Sequence, residues 1–334
     1  MSRFLFAVTT LLLLGATSAH ALVQRAYVSA LTGNDTNTAT DCQATAPCRW
    51  FAGAISVVSP GGEIVAFDSG AYGQVTITKS IAIVGAPGVY AGITVFSGHG
   101  ITIATGGVKV VLRGLTINNL GSTGSGIHMT AGYSLLVQNC AIANFNISGS
   151  SGLHVAGTMR VHLLDSLLQG NYYGANFSGG ASVLVSASRF LDNGENGLYA
   201  SAAGAGVVTR VEVSRSEASG NDNVGFFPIA SDSGRAELNV KDSVASRNNS
   251  GVNAYASGAT ALARVSNSLL SGNTGYGLRV AGSGAKLVAA GNRVTDNGIG
   301  LFQTASGVLQ STGDNTVTDN TTNATGTISS LSNM

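Results

Sequence analysis

The sequence predicts an all-β fold, a right-handed single-stranded parallel β-helix that repeats about every 25 residues and carries a short N-terminal capping helix. Three observations support this fold class. Short residue frames recur along most of the chain, apolar residues alternate with period two between them, and the 334 residues include 46 glycines but only 4 prolines. Glycine and small polar residues suit tight turns between many short strands.

The first frame reads Ser/Asn-x-apolar-x-x-Asn. Its instances are Ser166-Leu168-Asn171, Ser188-Phe190-Asn193, Ser216-Ala218-Asn221, Ser243-Ala245-Asn248, Ser268-Leu270-Asn273, Asn292-Val294-Asn297 and Asn315-Val317-Asn320. A related segment, Cys140-Ile142-Asn144, is one residue shorter. In stacked coils about 4.8 Å apart, the repeated Asn side chains should form an internal ladder whose amides hydrogen-bond from rung to rung. Cys140 should occupy the neighbouring Ser/Cys ladder as an inert packed thiol.

A second frame follows each ladder Asn and consists of a glycine, an apolar residue, an outward candidate and usually another apolar residue. The outward candidates form one column, namely His128, His154, Asn176, Tyr199, Phe227, Asn253, Arg279 and Phe302. Rings stack on sugars and polar tips bind hydroxyls, so the first five are predicted glycan-binding residues. An ordinary exposed strand face is the alternative interpretation. His128 and His154 supply only two metal ligands, so we predict no metal site and no cofactor.

A third frame alternates apolar residues, as in Leu135 and Val137 or Val161 and Leu163. Such alternation predicts half-buried strands. Three strands per repeat must then stack on their neighbours to form a core. The distance from frame glycine to ladder residue rises from 14 residues after Gly126 to 19 after Gly197. We expect the longer segments to form loops that could wall a groove.

The first 21 residues are predicted to be a signal peptide. Arg3 precedes an apolar stretch from Phe4 to Leu14, and Ala19-His20-Ala21 resembles a cleavage site. The mature chain is therefore expected to be secreted or periplasmic, with no transmembrane segment. Cys42 and Cys48 could pair in such an oxidising compartment.

The predicted mature chain has three parts. Residues 22–60 hold an N-terminal segment and a helix that begins near Thr45 and Pro47, ends at Pro60-Gly61-Gly62 and covers the first coil. The β-helix should span residues 61–322. Residues 323–334 are expected to form a polar C-terminal tail.

The first segments of the predicted β-helix resemble those of a known protein family. The segments Gly61-Gly62-Glu63-Ile64-Val65, Gly70-Ala71-Tyr72-Gly73 and Thr78-Lys79-Ser80-Ile81-Ala82-Ile83-Val84-Gly85 resemble the start of pectin-lyase-like right-handed β-helix proteins, and the repeats over 110–320 resemble their coils. The likeness is greatest to bacterial secreted members without a described activity. It implies the fold, which lyases, hydrolases, esterases and epimerases share with non-catalytic proteins.

Each enzymatic activity demands particular residues. Gly98-His99-Gly100 resembles the Gly-His-Gly motif of polygalacturonases, but their Asn-Thr-Asp, Asp-Asp and Arg-Ile-Lys motifs are absent from the sequence. We therefore interpret His99 as a turn residue between two coils. Glycoside hydrolysis needs two facing carboxylates, and the calcium site of pectate lyases needs several oxygens. Neighbouring pairs such as Asp192 with Glu195, or Asp296 with Asp319, are interpreted as solvated turn charges.

These observations predict a glycan-binding or structural extracellular protein without a recognisable catalytic site. The alternative is a polysaccharide lyase or glycoside hydrolase acting on a cell-wall or extracellular polysaccharide. The 17 Lys and Arg residues nearly balance the 16 Asp and Glu residues, which disfavours nucleic acid as a partner. An acidic polysaccharide would have to be bound by local charge. The oligomeric state cannot be predicted from these residues.

Overall fold

The computed structural model describes residues 22–331, so the predicted signal peptide lies outside the described residues. Within this range the chain winds through three parallel sheets, which we call sheets A, B and C. Each full coil passes from a strand of sheet C to one of sheet A and then one of sheet B. The three strands per repeat predicted from the sequence are confirmed.

Sheet A has thirteen strands, Val23–Val28, Val58–Ala66, Ile81–Gly85, Lys109–Arg113, Ser134–Gln138, Arg160–Leu164, Ser182–Ser186, Val208–Ser214, Arg235–Lys241, Thr260–Ser266, Ala285–Ala290, Val308–Ser311 and Ile328–Ser330. Sheet B has eleven, Gly70–Ala71, Ala91–Val95, Leu115–Asn119, Ala141–Ala143, Leu167–Gln169, Arg189–Leu191, Glu217–Ser219, Val244–Ser246, Leu269–Ser271, Arg293–Thr295 and Thr316–Thr318. Sheet C also has eleven, Val75–Ile77, Ile101–Ala104, Ile127–Ala131, Ser151–Ala156, Tyr173–Ser178, Leu198–Ala203, Val224–Ser231, Ser250–Ser257, Tyr276–Ala281, Ile299–Thr304 and Thr322–Thr325.

The core is a continuous apolar column inside the coil. In sheet A, Leu135 pairs with Val161 and Val161 pairs with Val183, so the alternating residues of the third frame stack on one another. These three side chains are buried. Because neighbouring strands are hydrogen-bonded in register, each rung presents its apolar positions to the same interior and its alternate positions to the outside.

Two polar ladders hold the corners of the coil. The Asn171 amide donates to Asn193 Oδ1 at 3.2 Å, and Asn193 repeats this contact with Asn221 at 2.8 Å. In the second ladder the Ser166 backbone N–H donates to Ser188 Oγ at 3.2 Å. The predicted Asn ladder therefore has the hydrogen bonds expected of it, and they satisfy buried polar groups where the chain turns.

Cys140 occupies the second ladder. Its backbone N–H donates to Ser166 Oγ at 3.2 Å, and its side chain is only 3% exposed. Burial raises the pKa of the thiol to about 11. The thiol is therefore protonated at neutral pH, as the packed interpretation requires.

The N-terminal segment contains more regular structure than the sequence predicted. A 3-10 helix spans Asp35–Thr40, Cys42 and Cys48 form a disulfide bond, and the capping helix spans Phe51–Val57. The helix begins later than predicted, at Phe51 rather than near Thr45 and Pro47, and it ends at Val57, before Pro60-Gly61-Gly62. Those three residues lie within the strand Val58–Ala66. That strand pairs with Val23–Val28, which is the edge strand of sheet A. The backbone of Val58–Ala66 is therefore covered at this end of the stack.

The C-terminal boundary also differs from the predicted one. Strands Thr322–Thr325 and Ile328–Ser330 continue the stack within the segment expected to be a polar tail. Backbone pairing with an open sheet edge requires no apolar side chains, so polar residues can form this last coil.

The expected long loops are instead longer strands. Val224–Ser231 and Ser250–Ser257 in sheet C are eight residues each, and the following sheet A strands Arg235–Lys241 and Thr260–Ser266 are seven each. The additional residues include buried alanines such as Ala236 and Ala261. They widen two sheets rather than wall a groove.

Candidate functional site

The predicted column lies on the outer side of sheet C. His128 pairs in register with His154, His154 with Asn176, and Asn176 with Tyr199, which in turn pairs with Phe227. The column continues through Asn253, Arg279 and Phe302. These residues therefore lie in one row, as the spacing of the second frame predicts.

The column is less exposed than an ordinary outer strand face. Its members are half-buried, and Asn253 is only 5% exposed. Rungs about 4.8 Å apart let each side chain cover its neighbours. A second row of residues, located directly before the frame glycines, covers them further.

This second row supplies three aromatic partners that the column prediction did not include. His99 stacks on His128 with ring centroids 4.0 Å apart, Tyr173 stacks on Tyr199 at 5.3 Å, and Tyr276 stacks on Phe302 at 4.6 Å. In each pair, the residue before the glycine of one coil contacts the column residue of the next coil. We call the column together with His99, Ser151, Tyr173 and Tyr276 the sheet C strip.

The histidines at the N-terminal end of the strip are poorly basic. His99 lies in the turn between two strands, as predicted, and its Nδ1 accepts a hydrogen bond from the Ser125 backbone N–H at 2.9 Å. Burial lowers the pKa of His128 to about 4, and neighbouring His99 and His154 add to this effect. Burial also lowers the pKa of His99 and of His154. Their imidazoles are therefore neutral at neutral pH and can both donate and accept hydrogen bonds.

A cluster of aromatic residues occupies the middle of the strip. Tyr173 contacts Tyr172 edge to face at 4.8 Å, and Tyr199 contacts Phe227 edge to face at 5.7 Å. Burial raises the pKa of Tyr173 to about 12 and also raises the pKa of Tyr199, with a smaller contribution from the Glu195 carboxylate. Glu195 itself accepts a hydrogen bond from the Asn223 amide at 2.6 Å. The two phenols therefore remain hydrogen-bond donors at neutral pH.

The C-terminal end of the strip carries its positive charge. The Arg279 guanidinium carbon lies 5.2 Å from the Tyr276 ring centroid, and Tyr276 stacks on Phe302. A cation over an aromatic face is attracted by the ring's electrons. This contact holds Arg279 against the strip rather than leaving it extended into solvent.

Several polar atoms of the strip are buried without a hydrogen-bond partner. They are His128 Nδ1, Ser151 Oγ, Asn176 Oδ1, Asn253 Oδ1 and Arg279 Nε. A buried polar atom left unpaired costs about 1–3 kcal/mol. These atoms lie in both rows of the strip and have almost no accessible surface, so a ligand would reach them only after neighbouring side chains turn aside.

A shallow hollow extends the strip beyond its N-terminal end. Its volume is about 570 Å³ and it is lined by Gln74, Thr76, Ser97, His99, Thr102 and residues of the capping helix. A slightly larger hollow of about 630 Å³ lies at the corner between sheets A and B and is lined mainly by turn residues. Of these two hollows, only the smaller one is lined by a residue of the strip, His99.

The carboxylates considered in the sequence mostly have local structural partners. Asp192 accepts the Gln169 amide at 3.2 Å, and Glu195 accepts the Asn223 amide at 2.6 Å. Across residues 22–331 there is no cluster of three or more His, Cys, Asp or Glu side chains suited to a metal ion. Hydrogen bonding and ring stacking are the chemistry that the strip supplies.

None of the helices within residues 22–331 has the length and apolar character needed to cross a bilayer.

Comparison with solved structures finds a similar fold in two other proteins. A pectate lyase, Pel9A, is 17% identical, with a TM-score of 0.54 over 93% of this chain and 80% of that one. XylC, solved in complex with xylose, is 8% identical, with a TM-score of 0.51 over 84% of this chain and 69% of that one. At such low sequence identity, the structural similarity shows a common fold and nothing further. The search of curated proteins found no match.

A family model also matches this chain, over slightly more than half of its length. The family described as "Right handed beta helix region" matches residues 93–264, which include most of the sheet C strip. The pectin-lyase-like fold predicted from the opening segments and the repeats is confirmed. The chain belongs to the right-handed β-helix family.

Proposed function

We propose that the sheet C strip binds an extended polysaccharide outside the cytoplasm. The observation that carries this proposal is the strip of two adjacent rows, in which three stacked aromatic pairs lie among half-buried polar side chains. Sugars have apolar faces that pack on rings and hydroxyls that both donate and accept hydrogen bonds. A glycan therefore matches both halves of the pattern.

The shape of the strip favours a chain over a single sugar. His128 and Phe302 are separated by seven rungs of sheet C, which corresponds to about 34 Å. An extended glycan advances by roughly the length of one rung per sugar. Successive sugars could then meet successive column residues along the axis of the coil.

The electrostatics favour hydroxyl-rich ligands. The histidines are neutral because burial lowers their pKa values, and the tyrosines are neutral because burial raises theirs. Arg279 is the one Lys or Arg side chain in the strip. Recognition would depend mainly on ring contacts and neutral hydrogen bonds, with one position suited to an acidic substituent.

Polysaccharide pull-down with the full chain tests this proposal. Tyr199→Ala and Phe302→Ala each remove one ring of a stacked pair and should weaken retention on the bound polysaccharide about tenfold. Tyr90→Ala is the matched control, because Tyr90 is 50% exposed and lies outside the strip. Equal retention of all three variants and the parent chain would refute binding at the strip.

The catalytic alternative rests on Glu195, the carboxylate beside Tyr173 and Tyr199. A lyase would release unsaturated ends from a uronic-acid polysaccharide, and a hydrolase would release reducing ends. If the chain is an enzyme at this site, Glu195→Gln should abolish the new ends while the polysaccharide is still retained. Release of ends that Glu195→Gln leaves unchanged would exclude this residue as the catalytic group.

A further inference from the structure

The outer face of sheet A has a charge that the balanced composition conceals. Its strands from Lys109–Arg113 to Ala285–Ala290 carry eight basic residues, Lys109, Arg113, Arg160, Arg210, Arg235, Lys241, Arg264 and Lys286. They carry only two acidic ones, Glu212 and Glu237. The face therefore has a formal charge of +6, whereas the whole chain has +1, so the remainder has −5.

The excess of positive charge remains when the turns at the edges of the sheet are included. The turns that border these strands add Arg215 and three acidic residues, Asp165, Asp232 and Asp242. With them the face keeps a formal charge of +4, and the rest of the chain has −3. The outer face of sheet A is therefore basic, whereas the rest of the chain is acidic. This asymmetry of charge would orient the protein beside a charged surface.

Four of the cations lie in one row, Lys109, Arg160, Arg210 and Lys286, and the first three are regularly spaced. Lys109 pairs with Ser134, Ser134 with Arg160, Arg160 with Ser182, and Ser182 with Arg210. The first three cations thus occupy every second rung, about 10 Å apart, with hydroxyl groups between them. Lys109, Arg160 and Arg210 are all exposed.

An aromatic ring holds two of these cations in place. The Lys109 ammonium and the Arg160 guanidinium carbon each lie 5.2 Å from the Tyr133 ring centroid. Arg160 also donates a hydrogen bond to the Tyr133 hydroxyl at 2.8 Å. Side chains already held in position lose less conformational entropy when they bind a partner.

The ion pairs leave part of the row unneutralised. Glu237 pairs with Arg210 and with Arg235, and Lys241 lies 3.9 Å from Asp242. In the described part of the chain, Lys109 and Arg160 are in no ion pair of this kind. Their charge is available to an external anion.

Apolar surface lies among the cations. Tyr133 is 45% exposed, Leu184 is 37% exposed and Val308 is 45% exposed. Other basic residues lie in different rows, since Arg264 pairs with Asn239 and Lys241 with Ser214, outside the row that holds Lys109 and Lys286. The face is therefore a two-dimensional mixture of cations and apolar groups, about 34 Å long over its eight rungs.

We propose that the outer face of sheet A docks on an acidic phospholipid surface. Juxtaposed Lys and Arg side chains are attracted to anionic headgroups, and exposed aromatic and aliphatic groups among them suit the headgroup boundary. The acidic remainder of the molecule is repelled, so the protein lands with sheet A against the lipid. The proposal does not depend on glycan binding, because the sheet C strip is on a different sheet.

Two other polyanions fit the face less well. Duplex DNA carries one charge per about 1.7 Å, far denser than cations about 10 Å apart. A linear acidic polysaccharide would contact one row and leave the cations of the other rows unused. A planar array of headgroups meets all of them together.

Vesicle co-sedimentation tests the proposal. The full chain should bind vesicles of phosphatidylglycerol mixed with phosphatidylcholine, should not bind vesicles of phosphatidylcholine alone, and should be released as salt is raised. The double variant Lys109→Gln/Arg160→Gln should reduce the partition coefficient about 10- to 30-fold. A second double variant, Arg264→Gln/Lys286→Gln, should reduce it by a similar factor.

The matched control removes the same charge from another face. Arg189 and Arg293 are exposed residues of sheet B, so Arg189→Gln/Arg293→Gln changes the net charge equally and should alter partitioning by less than about twofold. Equal losses in the sheet A and sheet B variants would overturn face-specific docking. Absence of binding to the acidic vesicles, or retention only on DNA or an acidic polysaccharide, would overturn the lipid proposal itself. Polysaccharide retention by the same variants reports separately on the sheet C strip.

Discussion

His99 stacks face to face on His128, with ring centroids 4.0 Å apart and ring planes 2° apart, although the two residues belong to successive coils. The stack removes water from both rings and places a second imidazole beside each. Both consequences disfavour protonation, since a buried charge loses hydration and two neighbouring cations repel. The same arrangement of consecutive coils recurs in the Tyr173–Tyr199 and Tyr276–Phe302 pairs.

The histidine stack should make stability depend on pH. The pKa of His128 is about 4 in the folded chain, below the ordinary value of 6.5. Between those values the unfolded chain binds more protons, so the free energy of unfolding should fall as the pH is lowered from about 6.5 to 4. We expect His128→Asn to remove about 1 kcal/mol of this decrease, after allowance for the ring's partial exposure.

Denaturant titrations at several pH values measure this effect. His162→Asn is the control, because His162 is an exposed residue of sheet A. Parallel pH profiles for the parent chain and His128→Asn would show that the stack contributes nothing to the dependence.

The Asn ladder should contribute strongly to stability. Asn221 accepts the Asn193 backbone N–H and donates to Asn248 Oδ1 and to the Phe190 carbonyl. Asn221→Ala removes the acceptor of the buried Asn193 N–H and the donor to the Phe190 carbonyl, while Asn248 Oδ1 keeps the backbone N–H of residue 221. The substitution should lower the free energy of unfolding by about 3 kcal/mol. Asn320→Ala, at the half-buried final rung, should cost about 1 kcal/mol because water can replace the lost amide. Similar losses at both positions in chemical denaturation would contradict the burial argument.

Cys140 should be unreactive until the chain unfolds. Burial raises the pKa of its thiol to about 11, so the thiolate is scarce at pH 8. An alkylating reagent should label it at least a hundredfold faster in denaturant than in the native protein, as followed by mass spectrometry. Cys140→Ser should change the free energy of unfolding by less than about 1 kcal/mol, since Ser166 and Ser188 occupy equivalent ladder positions. Rapid labelling of the native thiol would show that the ladder opens.

The coil architecture could be predicted because stacking repeats the same constraint at every rung. The spacing from Ser166 to Asn171 is preserved in later coils, and one-residue slips would turn the buried side chains outward. The column from His128 to Phe302 followed from the same register. Residues that deviate from the repeat were harder to place, as the strands at Thr322–Thr325 and Val58–Ala66 show.

The aromatic partners of the column could not be predicted from the frame as first defined. His99 precedes Gly100, and Ile101 pairs with Ile127, so Gly100 is an earlier frame glycine in the coil before His128. Extending the frame by one coil would have placed His99 beside the column. The stacking itself depends on side-chain rotamers and on the offset between coils, which periodicity in the sequence does not specify.

The dependence of affinity on glycan length tests the central claim most directly. Once a polysaccharide is retained by the full chain, titration calorimetry with its oligosaccharides should show affinity that rises with length and levels off near eight sugars, matching the eight column residues from His128 to Phe302. Tyr199→Ala should lower the affinity of the longer oligosaccharides about tenfold, whereas Tyr90→Ala should leave it unchanged. Affinity that is already maximal for a disaccharide, or that is unaffected by Tyr199→Ala, would contradict binding along the sheet C strip.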